Sequence, residues 1–514
     1  MAIDKSFIVK HCIDKGVLPG ADIFSAENLI LPETFPHPIT VVTNDVLKLI
    51  GQEHVDWLQL DRLRSYHEHG RPGYEEYIQV FSSKEKIVFS PVEQKFKPSI
   101  ILNSYNREGT PYTVGDFVQH FKHRYAALER ILRIRPELQN SISINRIVRK
   151  QSREPVSIVG IVLDKSETKN GNIMLTVDDP TGPIRVLINK NRPDLFATAK
   201  DLVYDEVVGI SGVCGDKMIF ANNLFLPDIP YNQELKQSTE DIYVLFLSDV
   251  HVGSEYFLEK EFKRFLRWIN GKTGTAEQKE IANKISYVFI AGDIVDGVGV
   301  YPGQDSELLI KDIYEQYKEF ASLIAQIPKH IQIIICPGNH DALRLGEPQP
   351  VLDQEFAAPI YKLSNVTIVS NPSLVNIGAQ KNFPGFNILL YHGYSFDYIV
   401  ANVDSIRSGG GYRRADLIMK FLLKRRHLAP AQGSTPRIPD PDTDPLVINQ
   451  VPDFFVTGHI HYSMVANYRN ITMISGSCWQ RTTSFQEKMG HQPEPARVPV
   501  VNLKTRNVKI LKFM

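Results

Sequence analysis

The sequence predicts an α/β protein with an all-β domain ahead of it. Three observations support this fold class. From about residue 240 onward, short apolar strands end in polar motifs and are separated by amphipathic helical segments. Residues 140–232 read instead as five short strands joined by turns. The chain has 514 residues, which is longer than a chain folded around a single hydrophobic core usually is. We therefore expect two or three domains.

Composition narrows the classes of protein that the chain can belong to. Hydrophobic residues make up 43% and charged residues 23%, the balance of a globular protein. Lys plus Arg and Asp plus Glu both number 58, whereas a protein that grips nucleic acid alone usually has a basic excess. Any binding of nucleic acid must therefore involve a local basic patch or a partner protein. The four cysteines form no C-x-x-C pair, and neither a signal peptide nor a long apolar window is present. These features predict a cytoplasmic protein with no membrane contact.

Residues 1–110 are predicted to be a small helical module and a linker. Helical periodicity covers residues 41–51 and 56–67, the run 82–99 looks loop-like or short-stranded, and no chemical motif appears.

A connecting helix is predicted within residues 111–139. Thr113 and Asp116 form a capping signature, and an apolar residue recurs every three or four positions after them. Basic residues occupy the rest of the helix, and they face solvent or contact a DNA backbone. They are Lys122, Arg124, Arg130, Arg133 and Arg135.

The β-rich segment 140–232 resembles an OB-fold barrel. Its strands are predicted at residues 156–163, 173–177, 184–188, 207–213 and 218–222, with an Asp-Asp-Pro-Thr-Gly turn after the second. OB-folds bind single strands through aromatic platforms, and Phe220 is the one aromatic residue in these predicted strands. The sequence therefore favours a structural or protein-docking barrel over one that binds a nucleic-acid strand.

Five apolar strands are predicted in the α/β region, and a polar motif follows each. The strands cover residues 243–247, 287–291, 331–336, 386–391 and 454–457. Helices are predicted over 258–269, 308–327 and 413–424, and a proline-rich loop over 430–445. The motifs are Asp249-Val-His251, Gly292-Asp-Ile-Val-Asp296, Gly338-Asn-His-Asp341, His392-Gly393 and Gly458-His-Ile-His461. Ligands bind at the carboxyl ends of such strands, so we expect the five motifs to converge on one edge.

The residue types in these motifs fit phosphodiester cleavage. Two divalent metals about 3.5–4 Å apart can neutralise the phosphoryl oxygens and supply a hydroxide. Carboxylate, imidazole and amide donors form mixed shells that suit manganese, iron or zinc better than calcium. In Asp-x-His and His-x-His, strand alternation would aim both side chains at one face. The glycines of the motifs would let the backbone turn sharply at each strand end.

The five motifs together resemble the calcineurin-like metallophosphoesterases, over about residues 240–485. This resemblance implies a four-layer α/β/β/α domain over 240–514. With the barrel ahead of it, and with the segments 420–430 and 490–499, the chain from about residue 110 resembles the small, exonuclease subunits of archaeal family D DNA polymerases. It is more distantly similar to the B subunits of eukaryotic replicative polymerases, most of which have lost the metal ligands that this chain keeps.

The resemblance implies a role for each motif residue. One metal would be held by Asp249, His251, Asp293 and His461, and the other by Asp293, Asn339, His392 and His459. Asp293 would bridge the two ions, with Mn²⁺ expected and Mg²⁺, Fe²⁺ or Zn²⁺ as alternatives. His340 would protonate or stabilise the leaving alkoxide. Asp296 would orient His340, and Asp341 is the alternative residue for this role. Either aspartate could instead only form a turn.

Three further positions have more than one interpretation each. Arg344 either clamps a phosphate or forms a surface ion pair. The cluster Lys424, Arg425 and Arg426 either tracks DNA, docks a partner or is a solvated helix end. Tyr394 either lines the pocket or packs as an ordinary aromatic.

Three functions remain to be weighed. The resemblance implies a 3′→5′ proofreading exonuclease that works with a large catalytic polymerase subunit on DNA 3′ ends, with a sliding clamp reached through the complex. A catalytically silent scaffold that links the polymerase to other replication factors is the alternative. A protein or small-molecule phosphatase is the third, although the barrel gives such an enzyme no evident use.

Overall fold

The computed structural model describes residues 99–514, apart from 108, 110, 150–152, 484–485 and 488–491, together with two short strands nearer the N-terminus. The chain divides into two compact units, Met1–Glu93 and Gln94–Met514. In the first unit, Leu18–Pro19 pairs in parallel with Val41–Val42. The helix predicted over 41–51 is therefore wrong at its first two residues. The rest of it, the helix over 56–67 and the segment 82–98 lie outside the described residues.

The predicted connecting helix is present as α1 (Val114–Leu132). The backbone N–H of Thr113 donates to the Asp116 carboxylate at 2.7 Å, which confirms the capping signature. The buried face carries Leu128 and Leu132, but it also carries Arg124, which is fully buried. The expectation that Arg124 faces solvent or DNA is therefore wrong.

A closed five-stranded barrel follows and confirms the OB-fold expectation. In spatial order the barrel contains the first, second, third, fifth and fourth of its strands along the chain. Alternate residues of each strand fill the interior with Val, Ile and Leu side chains. Two short helices accompany the barrel, α2 (Ile144–Val148) before the first strand and α3 (Pro193–Lys200) between the third and the fourth. The five strands are β2 (Pro155–Glu167), β3 (Ile173–Asp179), β4 (Gly182–Ile188), β5 (Val207–Gly215) and β6 (Met218–Phe225).

The remainder contains two six-stranded sheets packed face to face. Sheet I contains, in spatial order, β10 (Val366–Ile368), β9 (Gln332–Cys336), β8 (Ile285–Ala291), β7 (Tyr243–Leu247), β16 (Arg497–Asn502) and β17 (Val508–Lys512). Sheet II contains β14 (Met464–Tyr468), β15 (Ile471–Ser475), β13 (Phe454–Thr457), β12 (Phe386–Leu390), β11 (Ser373–Ile377) and β1 (Ile100–Ser104). The edge strand β1 lies in the predicted linker, where no strand was expected.

Helices cover the outer face of each sheet and complete four layers. An apolar core that includes Phe246, Phe289 and Phe454 fills the space between the sheets. Helices α4 (Glu259–Ile269), α5 (Ala276–Asn283), α6 (Ile313–Ile324) and α7 (Gln354–Tyr361) accompany sheet I, and α8 (Phe396–Asn402), α9 (Asp404–Ser408) and α10 (Ala415–Arg425) accompany sheet II. This arrangement confirms the α/β/β/α expectation.

The predicted helices and loop agree with the structure in type but differ in detail. The helix predicted over 308–327 begins only at Ile313, because Asp312 caps it by accepting from the backbone N–H groups of Tyr314 and Glu315. The loop 430–445 is irregular as predicted, yet it is largely buried. None of the helices in the described ranges is long and apolar enough to cross a membrane.

Candidate metal centre

The five predicted motifs converge where the carboxyl ends of strands from both sheets meet. Strands β7, β8 and β9 of sheet I lead into Asp249, Asp293 and Asn339, and strands β12 and β13 of sheet II lead into His392 and His459. These strands run parallel within each sheet, so their carboxyl ends share an edge. The centre therefore lies across the rim of the sandwich, with both sheets contributing donors.

Most predicted ligands have a left-handed backbone. The φ angles are 51° at Asp249, 53° at His251, 50° at Asp293, 70° at His459 and 55° at His461. Such conformations are uncommon for residues other than glycine and cost roughly 1–3 kcal/mol each, so they persist only where the surroundings impose them. The strands end before these residues, and the predicted mechanism of strand alternation is therefore wrong. Left-handed turns bring the paired side chains together instead.

Three glycines of the motifs are required at the centre, one for its backbone turn and two for the space beside a carboxylate. Gly292 has a φ of 84°, as the predicted sharp turn requires. Gly338 and Gly458 do not have positive φ, and a Cβ atom there would lie 2.2 Å from Asp293 Oδ1 and 2.5 Å from Asp249 Oδ2, respectively. Any other residue at these two positions would displace a carboxylate of the centre.

Seven donor side chains form two groups that meet at Asp293. In the first, His461 Nε2 lies 3.0 Å from His251 Nε2 and 3.4 Å from Asp249 Oδ1. In the second, Asn339 Oδ1 lies 2.9 Å from both His392 Nε2 and His459 Nδ1. Asp293 Oδ2 stands between them, 3.2 Å from His392 Nε2 and 3.9 Å from His251 Nε2.

Each of the four histidines has one ring nitrogen bound outside the centre, so that the other faces inward. The outer partner of His251 is the Asp296 carboxylate at 3.1 Å, and that of His392 is the Ala291 carbonyl at 2.8 Å. The remaining two outer contacts are His459 Nε2 to Asp397 at 3.0 Å and His461 Nδ1 to Gln486 at 2.8 Å. For His251, His392 and His459 the outer partner is an acceptor oxygen, which fixes the tautomer and turns the other lone pair inward, as in metal-binding histidines. At His461 the side-chain nitrogen of Gln486 donates to Nδ1 instead.

The charges of the centre fit a divalent cation. Burial by itself would raise the pKa of Asp293, yet His392, His340 and His251 hold it well below its ordinary value. Burial would likewise lower the pKa of His392, but Asp293 raises it to about 10. Within the described ranges, neither Lys nor Arg pairs with Asp249 or Asp293. A proton on His392 therefore balances the carboxylates, and a metal ion would replace it.

His340 and its two candidate orienting residues have distinct contacts. The His340 ring lies edge-on to His251, with centroids 4.7 Å apart, and its Nδ1 donates to the backbone carbonyl of Asp296 at 2.8 Å. The Asp296 carboxylate contacts His251 instead. Asp341 accepts from the backbone N–H groups of Gly338 and Ile294, which is a turn-forming role. Burial lowers the pKa of His340, and Asp293 opposes that shift.

Comparison with known proteins gives the family. Residues 242–463 match the calcineurin-like phosphoesterase family model, and residues 156–217 match an OB-fold nucleic acid binding domain. The DNA polymerase II small subunit of Methanothermobacter thermautotrophicus is 39% identical over 424 residues, covering 82% of this chain and 84% of the relative. That of Pyrococcus abyssi is 39% identical over 432 residues, covering 83% and 68%. The chain belongs to the DNA polymerase II small-subunit family.

In this member of the small-subunit family, the contacts of Arg344 are with residues outside the donor groups. Its Nη2 donates to the Pro348 carbonyl at 2.9 Å, and its guanidinium lies 5.4 Å from the centre of the Tyr105 ring. In the part of the chain that the structure describes, Arg344 forms neither an ion pair nor a contact with a predicted ligand. The phosphate clamp stays a prediction.

The basic cluster at the end of α10 is mostly structural. Arg425 is 5% exposed, and its Nε binds Glu206 of the barrel at 2.7 Å. Arg426 is 3% exposed and donates to the carbonyl groups of Ile448 and Asn449. Two of the three proposed roles, DNA tracking and a solvated helix end, are therefore wrong for these two arginines, which join parts of the fold.

Several residues around the centre carried no sequence signal. Gln304 and Gln480 each donate to the Asp296 carboxylate at 3.0 Å, and Gln486 and Asp397 contact the outer nitrogens of two histidines. A single glutamine belongs to no recognisable sequence motif, so only its position in the folded structure shows that it contacts the centre. Tyr394 is half-buried, with its ring centroid 5.6 Å from that of His459, which places it at the rim of the centre.

Proposed function

We propose that the chain is a 3′→5′ proofreading exonuclease that works through a two-metal phosphodiesterase site within a heterodimeric DNA polymerase. One observation carries the proposal: seven buried or half-buried N and O donors form two groups that share the Asp293 carboxylate. Side chains this close, with two carboxylates lacking a fixed cation, are costly to bury unless an ion joins them.

Each donor group fits one ion. Asp249, His251, Asp293 and His461 would hold the first, and Asp293, Asn339, His392 and His459 would hold the second. Mixed imidazole, carboxylate and amide donors favour Mn²⁺, with Fe²⁺, Zn²⁺ and Mg²⁺ as alternatives. Two divalent cations held there would supply positive charge for the phosphoryl oxygens and would make hydroxide available at neutral pH.

The chain's own residues position the reacting groups. Asp296 accepts from His251 with its carboxylate and from His340 with its backbone carbonyl, so one residue fixes both rings. Because Nδ1 of His340 is bound, Nε2 is the atom that faces the substrate. There it would donate a proton to the departing 3′ oxygen of the shortened strand. Asp296 thus acts as a positioning residue, and His340 as the acid.

The partner and the substrate come from the family. The curated relatives are named as small subunits, and we expect a large catalytic subunit to bind this chain and to supply most contacts with DNA. A net charge of zero agrees with such a division of labour. The substrate would be a mismatched DNA 3′ end, and a sliding clamp would be reached through the complex. We assign residues 1–110 to a helical module and linker, the end of which supplies strand β1 to sheet II. We assign 111–139 to the connecting helix, 140–232 to the barrel and 240–514 to the catalytic domain, in the cytoplasm.

The test is a primer-degradation assay with Mn²⁺, run on this chain alone and with the large subunit. A labelled primer with a 3′ mismatch should shorten one nucleotide at a time from its 3′ end, faster than a paired primer. Bound metal without hydrolysis would favour a silent scaffold. Faster hydrolysis of p-nitrophenyl phosphate than of DNA would favour a phosphatase.

A further inference from the structure

An aromatic residue flanks the centre on the side of His459. Tyr394 follows the left-handed Gly393, whose φ is 120°. Its half-buried ring is tilted by 42° to the ring of His459. The ring is thus fixed on one side and reaches the surface on the other.

The second flank lies beside His340 and contains a tyrosine on a loop with exposed valines. Tyr301 lies there with its ring centroid 6.3 Å from that of His340, and its hydroxyl donates to Glu307 at 3.0 Å. The loop that carries it exposes Val298 (51%) and Val300 (38%). Gln304 secures this loop by binding the backbone of Val300 and Asp296. Tyr301 is thus next to the first donor group, since the His340 ring contacts that of His251. Tyr394 is next to the second donor group, since its ring contacts that of His459.

The direction of the reaction assigns one part of the substrate to each flank. In the proposed reaction, the leaving oxygen belongs to the strand that remains, and His340 stands beside that oxygen. The shortened strand therefore lies on the flank of Tyr301. The nucleotide that departs lies on the other flank, where Tyr394 is the aromatic ring next to the metal donors.

We infer that Tyr394 stacks on the nucleobase of the 3′-terminal nucleotide. Every base has a π-face, so stacking on a tyrosine tolerates all four bases, as proofreading requires. A terminal base reaches Tyr394 only after leaving its own stack, which costs least for a mismatched base. The contact would thus select frayed ends over paired ends. This inference rests on the proposed exonuclease function.

A cycle of two enzymes and two substrates tests the contact. The substrates are primers whose terminal nucleotide either carries its base or is abasic, and the enzymes are the full chain and Tyr394→Ala, each with the large subunit and Mn²⁺. Loss of base stacking should lower kcat/KM on the normal end by about 5- to 100-fold. On the abasic end, the variant and the wild type should be equal within about twofold. Equal losses on both ends would overturn the inference, since they would show that Tyr394 only supports His459.

Two further variants test whether the effect of Tyr394→Ala comes from lost base stacking or from a disturbed local structure. Tyr394→Phe keeps the ring and should retain the preference for the normal end. Tyr398→Ala removes a half-buried tyrosine one helical turn later, where the ring lies near Gly433, and should leave the preference unchanged. A loss of preference in Tyr398→Ala as large as that in Tyr394→Ala would count against the contact.

A binding measurement separates this inference from the proposed function. A primer with 2-aminopurine at its 3′ terminus loses fluorescence when that base stacks on an aromatic ring. In a His340→Ala background, which slows turnover, binding should quench the probe, and adding Tyr394→Ala should restore the fluorescence. Equal quenching with and without Tyr394 would overturn the stacking contact. If the wild type degrades no DNA but Tyr394 quenches the probe, the exonuclease proposal fails while the base contact stands.

Discussion

Two buried clusters of histidine and aspartate in this chain look alike in composition but differ in their contacts. The first is the metal centre described above. The second, the junction cluster, contains His120, Arg124, His427 and Asp444, and joins α1 to the buried loop 430–445. There Asp444 Oδ2 lies 2.7 Å from Arg124 Nε, 2.9 Å from His427 Nε2 and 3.2 Å from His120 Nε2.

The difference lies in which group supplies the positive charge. In the junction cluster, the fixed cation is Arg124, and both nitrogens of His427 are occupied, Nε2 by Asp444 and Nδ1 by the backbone N–H of Ala429. In the metal centre, the inner histidine nitrogens face carboxylates and one another. We therefore expect a group of histidines and carboxylates to bind a metal only where no arginine has already neutralised it.

The largest expected effect comes from exchanging one carboxylate in the metal centre. Asp293→Asn replaces the carboxylate shared by both donor groups with a neutral amide. We expect loss of hydrolysis well beyond the about 10- to 100-fold that loss of an outer partner costs. In metal-free protein the same change breaks the pair with His392, but His392 can then release its proton. The free energy of unfolding should therefore fall by less than when a buried arginine loses its counter-ion. Primer degradation and chemical unfolding measure the two effects.

His340→Ala separates acid catalysis from metal binding within the same centre. Loss of a general acid should lower kcat by about 10²- to 10⁴-fold, while the metal content stays that of the wild type. Kinetics and metal analysis of one preparation suffice. Release of metal from this variant would show that His340 is a ligand.

Asp444→Asn is the matching exchange in the junction cluster. It leaves Arg124 buried without a counter-ion, so we expect the free energy of unfolding to fall by about 3–5 kcal/mol. Metal content should be unchanged. If Asp444→Asn lost metal, or if Asp293→Asn lost comparable stability, the distinction between the two clusters would be wrong.

The junction cluster also predicts a pH dependence of stability. Burial, reinforced by Arg124, lowers the pKa of His427 to about 4, against about 6.5 in an unfolded chain. Between these values the unfolded chain binds the extra proton, so stability falls as the pH falls from about 6.5 toward 4, by up to roughly 3 kcal/mol. Urea unfolding across this range measures it. His427→Gln should have a flatter pH profile, and an unchanged slope would contradict the assignment.

The smallest expected effect is at the outer edge of the metal centre. Asp397 binds His459 Nε2 at 3.0 Å and accepts from the Tyr412 hydroxyl at 2.9 Å. Asp397→Asn should weaken metal binding by about 10-fold, the low end for an outer partner, because this carboxylate is exposed. Calorimetric titration with Mn²⁺ measures it. Asp404→Asn, on the neighbouring helix α9, is the control.

The sequence predicted the parts of the fold that have strong local signals. Strands β7 and β13 have the predicted bounds, because each is a short apolar run that ends in a polar motif. The hairpin of β14 and β15 was missed, since its turn is Arg469–Asn470, with φ angles of 48° and 64°, and lacks the usual Asn-Gly. Strand β1 was missed because its pairing with β11 joins residues far apart in the chain.

For the metal centre, the sequence predicted which residues meet but not how. The left-handed turns at Asp249 and His459 have no reliable sequence signal in residues other than glycine. The burial of Arg425 depends on Glu206, which is 219 residues away, so a basic run at a helix end looked solvated. Long-range contacts of single residues decide both features, and periodicity and spacing do not report them.

The central claim is that the donor groups hold two metal ions through one shared carboxylate. Metal analysis of the purified chain after equilibration with Mn²⁺ tests it most directly, with Asp293→Asn and Asp444→Asn prepared in parallel. We predict two ions per chain for the wild type and for Asp444→Asn, and fewer than one for Asp293→Asn. Two ions retained by Asp293→Asn, or none bound by the wild type, would contradict the account.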